Sequence, residues 1–456
     1  MSKNLQFLYS ISQTHPTITA IIDANGEMFR YSQLICEINL WKEKLSLTIS
    51  PSTVVAIYGD FSFKTVSIFF ALIELNAIIV PLAIQNKDIE QKIQIAEIDL
   101  LIDLSGEGPI FKQFNSSKKN TLFDLINKNQ HPGIIIFSSG STGEPKGALH
   151  DFTFLLSKFI KPRKPFRSIV FLLFDHWGGI NTLLHILSCG GTVCFPAKRD
   201  PDSICNLIDQ YELDLLPSTP TFLNLILLNQ AHKRYRLSSL KMITYGTESM
   251  PESTLLRLNE VLPNVQFKQT YGLTELGVMR TESRANNSLW LKIGGEDYQT
   301  KIVDEVLYIK TQSSIIGYLN ASSPFDDEGW YCTGDRVAVD GDWICFLGRD
   351  SDLINVGGQK VFPSEIESTI LSLDWVADCL VYGEKNPITG MHVACNIVIN
   401  KSMQIPENPV LEIKKWCKSK LESYKIPVRI NLVEENKFNE RFKKIRPHII
   451  PILKSN

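Results

Sequence analysis

The sequence has no CxxC pair, no HExxH spacing and no apolar run long enough to cross a bilayer. Its most apolar stretch, Val66 to Leu82, is broken by Glu74 and Asn76, and reads as buried core rather than a span. The nine cysteines, at 36, 189, 194, 205, 332, 345, 379, 395 and 417, lie scattered in mostly apolar segments. That pattern predicts reduced, structural thiols. The eight histidines show no ligand spacing, so no protein-built transition-metal site is expected. With 47 basic against 49 acidic residues, there is no global positive field to hold nucleic acid. The first residues, MSKNLQFLYSISQTHP, lack a secretion-type apolar segment, so a cytoplasmic location without membrane insertion is expected. Internal repeats and low-complexity tails are absent as well.

What is present is apolar alternation on a chain of 456 residues, 44% hydrophobic and 21% charged, enough for two or more folding units. Strand-like runs alternate with helical patterns: 53–58 then 61–75, 78–82 then 86–96, 168–174 then 178–188, and 192–195 then 202–211. This rhythm predicts an α/β fold with largely parallel sheets covered by helices. Short strands at 305–311, 329–331, 336–339 and 342–346, separated by Gly and Asp turns, predict a small β-rich subdomain at about 300–347. A shorter pattern follows, with helices at 364–373 and 412–421 and strands at 377–382 and 392–399. We therefore expect a core over 1–347, a hinge at 348–352 and a small α+β C-terminal domain over 353–456.

The segment IIIFSSGSTGEPKGALH, 134–150, is the most informative. An apolar strand runs into Ser138, Ser139, Gly140, Ser141, Thr142 and Gly143, followed by Lys146. Small side chains, hydroxyls and free backbone N–H groups are what a polyphosphate needs for close approach. Lys146 does not stand where a Walker P-loop has its lysine.

SSGSTGEPKG resembles the phosphate loop of the acyl-adenylate-forming superfamily, and further segments resemble that family in its own order. They are YSQLICEINLWKEKL (31–45), 55–83, LLPSTPTFLNLIL (215–227), YGTES (245–249), YGLTELG (271–277), GWYCTGD (329–335) and GRDSDLINVGGQKVFPSEIE (348–367). Asn76 departs from the glycine usual in the family. The resemblance implies ATP-dependent conversion of a carboxylic acid to its acyl-AMP, followed by transfer to a thiol. It implies that Gly246, Thr247 and Glu248 lie against adenine, with Tyr271, Gly272 and Thr274 beside the nucleotide. Thr274 would contact the α-phosphate and Glu275 would hold Mg²⁺, which commonly takes one or two carboxylates plus phosphate oxygens. Asp335 would accept from the ribose hydroxyls, assisted by Arg349.

KFNERFKKIRP, 437–447, is similar to the family's N-x-x-G-K-x-x-R element through Asn439, Lys443 and Arg446. Lys443 is the implied catalytic lysine, although Phe442 stands where the family has glycine and Lys444 offers a second ammonium. A mobile C-terminal domain is implied, turning about Ser351 between two poses, with Gly357 and Gly358 along the path of the pantetheine thiol.

For the acyl pocket the resemblance points to Asp175, His176 and Trp177 of FDHWGG, with Tyr245 and Gly277. Asp175 suits a substrate amine, His176 or neither, and Trp177 suits an aromatic wall or plain core. The ending P-x-E-I-E is similar to acyl- and aryl-CoA ligases, so CoA is the expected acceptor; loading of an amino or hydroxy acid onto the phosphopantetheine arm of a separate acyl carrier protein is the alternative. A non-catalytic nucleotide-binding protein, motivated by Phe442 and Ser351, is the reading from a different class. The basic run 158–167 suits an anionic partner or a solvated loop.

Overall fold

The computed structural model describes residues 3–84, 88–114, 119–139, 144–161, 163–295, 297–401, 403–440 and 442–446. Two seven-stranded sheets enclose a layer of helices. The first has the order Gly317–Tyr318, Pro145–Asp151, Gly133–Ser139, Ile78–Leu82, Val54–Tyr58, Leu100–Asp103, Ile110–Gln113, with its four central strands parallel from Gly133–Ser139 to Leu100–Asp103. The second runs Gln266–Gln269, Met242–Tyr245, Leu215–Ser218, Arg167–Ile169, Thr192–Cys194, Thr19–Ile22, Met28–Arg30, parallel except at the last pair. Strand Ile78–Leu82 is buried along its whole length. A parallel strand covered on both faces therefore reads as a continuous apolar run rather than an alternating one.

Helices Tyr31–Leu45, Phe63–Glu74, Phe152–Ser157 and Trp177–Ser188 lie between the sheets. Their core joins Val55, Ile57 and Ile79 of the first sheet to Ala20, Ile21 and Val193 of the second. Phe63–Glu74 is buried from Thr65 to Glu74, as an all-round apolar helix must be. Ser62 caps it by accepting from Thr65 N at 3.0 Å, and Glu74 pairs with Lys42 at 3.0 Å. Asn76 then turns the chain at φ +53°, a left-handed conformation that asparagine tolerates, which accounts for its replacing glycine.

The third sheet is antiparallel and six-stranded, in the order Arg280–Ser283, Trp290–Gly294, Trp343–Arg349, Tyr331–Asp340, Val306–Thr311, Tyr298–Val303. It draws in strands from residue 280 onward, so it begins earlier than the expected 300. The strand expected over 168–174 ends at Ile169. Residues 170–174 leave the ladder but stay buried, because their apolar run records burial, not strand geometry. Helix Ile89–Ile95 lies within the expected 86–96.

The C-terminal sheet runs Gln359–Val361, Ile354–Val356, Gly390–Ile399, Val376–Asn386, with Arg429–Val433 parallel to Gly390–Ile399. Helices Pro363–Leu371 and Pro409–Lys420 cover it around Val361, Ile366, Val381 and Ile413. The protein is thus a mixed α/β chain with a large N-terminal and a small C-terminal unit. The two are stitched by Ser364 Oγ donating to Leu347 O at 2.7 Å and Asn224 Nδ2 to Ala377 O at 3.1 Å. No described helix is long and apolar enough to cross a membrane.

Candidate active site

A cavity opens where the second sheet, the third sheet and the C-terminal domain meet, and Asp335, Arg349, Tyr271 and Lys443 share its wall. Asp335 is buried on strand Tyr331–Asp340. Its Oδ1 accepts from Arg349 Nε at 2.8 Å, and its Oδ2 accepts from the Tyr271 hydroxyl. Tyr271 stacks on Phe346, with ring centroids 4.5 Å apart. Burial, then the Asp335 charge, hold the Tyr271 hydroxyl far above its ordinary pKa, so it stays a donor. Each Asp335 oxygen keeps a further lone pair for an incoming donor.

Gly272–Leu273 pairs with Gly277–Val278 in a two-stranded hairpin whose tip carries Thr274 and Glu275. The tip is held from behind. Thr274 O accepts from Trp177 Nε1 at 3.1 Å and lies 2.8 Å from His150 Nε2. His150 is fully buried, and burial lowers its pKa to about 4. It is therefore neutral with one N–H, which the shorter contact puts on Nε2; its Nδ1 lies 3.3 Å from Ser313 O. Glu275 is buried, accepts from the Tyr318 hydroxyl and makes no ion pair among the described residues. Tyr331 sits between Glu275 and the Asp335–Arg349 pair, and burial, then Glu275, push its pKa up.

Of the phosphate-loop residues, Gly140, Ser141, Thr142 and Gly143 lie outside the described residues. Ser138 and Ser139 end strand Gly133–Ser139, with Ser138 opposite Lys146. Lys146 Nζ lies 5.5 Å from the centroid of the Tyr318 ring, the same tyrosine that bonds Glu275. Asn320 clamps the returning strand, accepting from Gly147 N at 3.1 Å and donating to Pro145 O at 3.0 Å. The loop's flanks, Glu275 and Asp335 thus belong to one connected region.

The adenine-side expectations divide. Gly246 is required where it stands, since a Cβ there would lie 2.5 Å from Thr270 Oγ1. Thr247 takes φ +74° and lines the cavity. Glu248 also lines it, but its Oε1 accepts from Thr221 N at 2.8 Å, binding the loop to the start of helix Pro220–Leu228. Burial raises its pKa.

In the acyl group, Tyr245 is 1% exposed and packs with Met250, Leu255 and Phe267 in the core beneath the second sheet. The alternation along Met242–Tyr245 turns it to the same side as Ile243. His176 caps helix Trp177–Ser188, its Nδ1 accepting from Gly178 N at 3.0 Å. Asp175 is buried beside it. Gly277 sits at φ +76° against Leu155.

The two C-terminal lysines are separated by geometry. Lys444 Nζ is bonded to Asp378 Oδ1 at 2.6 Å and Cys379 O at 2.8 Å, and the acid raises its pKa against burial. Arg446 is likewise held by Glu367 at 2.6 Å. Lys443 makes no ion pair among the described residues; burial, then Arg349, lower its pKa. The loop that carries it is tied by Asn439, whose Oδ1 accepts from Lys443 N at 3.0 Å. Phe442 takes φ +54° and sends its ring across the domain boundary, with centroids 5.4 Å from Phe171 and 5.0 Å from Phe222. Thr219 Oγ1 donates to Phe442 O at 3.2 Å.

Ser351 lies exposed in the single turn Asp350–Asp352. Gly357 and Gly358, at φ +58° and +90°, form the two-residue turn between Ile354–Val356 and Gln359–Val361. Positive φ at both positions is the reason for two glycines there. The residues that sequence reasoning missed are His150, Tyr318, Asn320, Glu367 and Asp378. Their roles come from partners 43 to 175 positions away, so no local pattern marked them.

Residues 10–307 match the family described as AMP-binding enzyme, and residues 365–443 match the AMP-binding enzyme C-terminal domain. The chain belongs to the AMP-binding enzyme family. It is 27% identical over 342 residues to 4-coumarate-CoA ligase 1 of Narcissus pseudonarcissus, covering 67% of this chain and 62% of that protein. It is 26% identical over 451 residues to 2-succinylbenzoate–CoA ligase of Bacillus pumilus, covering 91% and 89%. The chain spans less than two thirds of the length of the first curated relatives it matches. An anthranilate CoA ligase in complex with anthranoyl-AMP superposes with TM-score 0.83 at 20% identity, over 97% of this chain and 95% of that one, and so shares the fold.

Proposed function

We propose that the protein activates a carboxylic acid with ATP as its acyl-AMP and then transfers the acyl group to CoA. The observation that carries this is the convergence of Asp335, Arg349 and Lys443 on one cavity, with Lys443 left unpaired among the described residues. An acceptor-only carboxylate with spare lone pairs suits a ribose diol, while an ammonium poised near it suits the charge that develops on phosphate. The names of the relatives, CoA ligases of aryl and acyl acids, support the same reaction class.

In the first step an acid oxygen attacks the α-phosphorus and the bond to pyrophosphate breaks. Lys443 neutralises charge on the attacking carboxylate and the α-phosphate together, Thr274 offers its hydroxyl to the same phosphate, and Asp335 fixes the ribose. In the second, the thiol sulfur attacks the acyl carbonyl, the bond to AMP breaks, and the thiol proton goes to solvent or a base. Glu275 is buried and hydrogen-bonded to a tyrosine, a donor set that fits a hard cation shared with substrate phosphates. Mg²⁺ held there would offset pyrophosphate charge. The relatives' names favour CoA over a carrier protein as acceptor.

The test is acid-dependent exchange of labelled pyrophosphate into ATP, followed by mass spectrometry for an acyl-CoA. Exchange with a panel of acids is the expected result. Nucleotide binding without exchange for any acid would leave the non-catalytic reading standing instead.

A further inference from the structure

One cluster of charge plays no part in the proposed chemistry, and it is cationic. Lys158, just past helix Phe152–Ser157, reaches between two elements of the acyl side. Its Nζ donates to Asn181 Oδ1 at 2.7 Å and to Val278 O at 3.1 Å. Both acceptors are neutral. Arg163 comes from the following connection, His185 from helix Trp177–Ser188, Lys268 from strand Gln266–Gln269 and Arg280 from strand Arg280–Ser283. None of the five makes an ion pair among the described residues, and Glu282, exposed, is the nearby acid, acting on Lys268.

The groups feel one another. Burial, then Arg163 and Arg280, pull Lys158 down to about 7; burial, then Arg163, Lys158 and Lys268, pull His185 to about 4. Burial, then neighbouring arginines, lower Arg163 and Lys268 as well. Concentrating like charges without a counter-ion is unfavourable, and an anion placed among them removes the penalty. Arg163 and Arg280 are exposed while Lys158, Lys268 and His185 are half-buried, so the cluster runs from the helix out to the surface.

Its place follows from helix geometry. Trp177, Asn181 and His185 stand four residues apart on one face of helix Trp177–Ser188. Trp177 Nε1 is bonded to Thr274 O, at the tip whose hydroxyl is proposed to meet the α-phosphate that the carboxyl attacks. At a rise of about 1.5 Å per residue, Asn181 lies roughly 6 Å and His185 roughly 12 Å further along that face. An acid lying along the helix would bring its far end to the cations.

We propose that Lys158, with Arg280 and Arg163, forms a subsite for a second anionic group on the acid, so that the substrate is a dicarboxylic acid whose remote carboxylate lies about two helical turns or less from the one activated. This rests on the adenylation reading above. Binding of that carboxylate returns Lys158 to its charged state, so affinity for a diacid weakens as pH rises through about 7.

The experiment compares length-matched acids ending in a methyl or a carboxylate, in pyrophosphate exchange, with wild type, Lys158→Gln, Lys158→Arg and Arg280→Gln. The expected result is a kcat/KM at least tenfold higher for the diacid. Lys158→Gln and Arg280→Gln reduce that preference through KM for the acid, and Lys158→Arg restores most of it. Calorimetric titration of the diacid into the full chain with a non-hydrolysable ATP analogue reads the subsite separately. Binding abolished by Lys158→Gln in a protein silent in exchange supports the subsite and overturns the ligase reading. Preference for the methyl-ended acid, equal loss for both members of each pair, no diacid binding, or variant effects confined to KM for CoA would overturn the subsite and leave the ligase reading intact.

Discussion

Phe442→Ala removes a ring that docks the Lys443 loop onto the N-terminal domain, and the size of the effect follows from the contacts. The ring is half-buried between Phe171 and Phe222, both on the far side of the domain boundary. Half-burying a phenylalanine is worth about 1 kcal/mol, and each aromatic pair adds roughly 0.5–1.5 kcal/mol. Docking should weaken by about 2–4 kcal/mol, a shift of roughly 30- to 800-fold in the balance between docked and free loop. Residue 442 also sits at φ +54°, which costs a residue with a Cβ about 1–2 kcal/mol. Phe442→Gly loses the same docking contacts but relieves that strain in docked and free loop alike. The two variants should therefore fall equally in pyrophosphate exchange, which needs Lys443 in place, while glycine unfolds at a urea midpoint higher than alanine by about 1 kcal/mol of stability. Thioester formation from supplied acyl-adenylate should be spared in both. Exchange at the wild-type rate in both variants, or faster in Phe442→Gly, would refute the docking argument.

Lys444→Met should destabilise the C-terminal domain by about 2 kcal/mol in urea unfolding, because it takes the ammonium from half-buried Asp378 and leaves Asn436 Nδ2 as its side-chain donor among the described residues; Lys443→Met should leave stability unchanged and abolish most exchange. His150 has a folded pKa of about 4 against about 6.5 unfolded, so only the unfolded chain takes up its proton between those values. Stability should fall by about 3 kcal/mol from this group as pH drops from 6.5 to 4 and level off below, a slope that His150→Gln removes in urea melts across that window. Asp335→Asn should weaken AMP binding in calorimetry by roughly 100-fold, since hydrogen bonds to a charged acceptor are worth about 1.5–3 kcal/mol each.

Much of the architecture was legible because burial on both faces writes itself into local sequence. Ile78–Leu82 and the helix at 63–74 are continuous apolar runs bounded by a cap at Ser62 and a left-handed turn at Asn76, and those signals are all short-range. The same signal misled at 170–174, where buried loop and buried strand have one composition. It also gave no warning that strands at 280–283 and 290–294 belong to the third sheet, since antiparallel pairing of half-exposed strands leaves only a weak alternation.

The site was legible to the extent that its parts are contiguous in sequence. Thr274 and Glu275 sit on one hairpin tip, and Asp335 and Arg349 are register partners on adjacent strands. The resemblance pointed to Lys443, but what occupies Lys444 was not legible, because it depends on Asp378, 66 positions from Lys444, which commits that ammonium to a structural pair. Phe442 shows the converse. A glycine is expected at a left-handed position, and a phenylalanine there reads locally as a defect. In the fold it is a residue whose backbone strain is outweighed by a ring seated on Phe171 and Phe222, so the departure strengthens the link between the lysine loop and the N-terminal domain instead of breaking it.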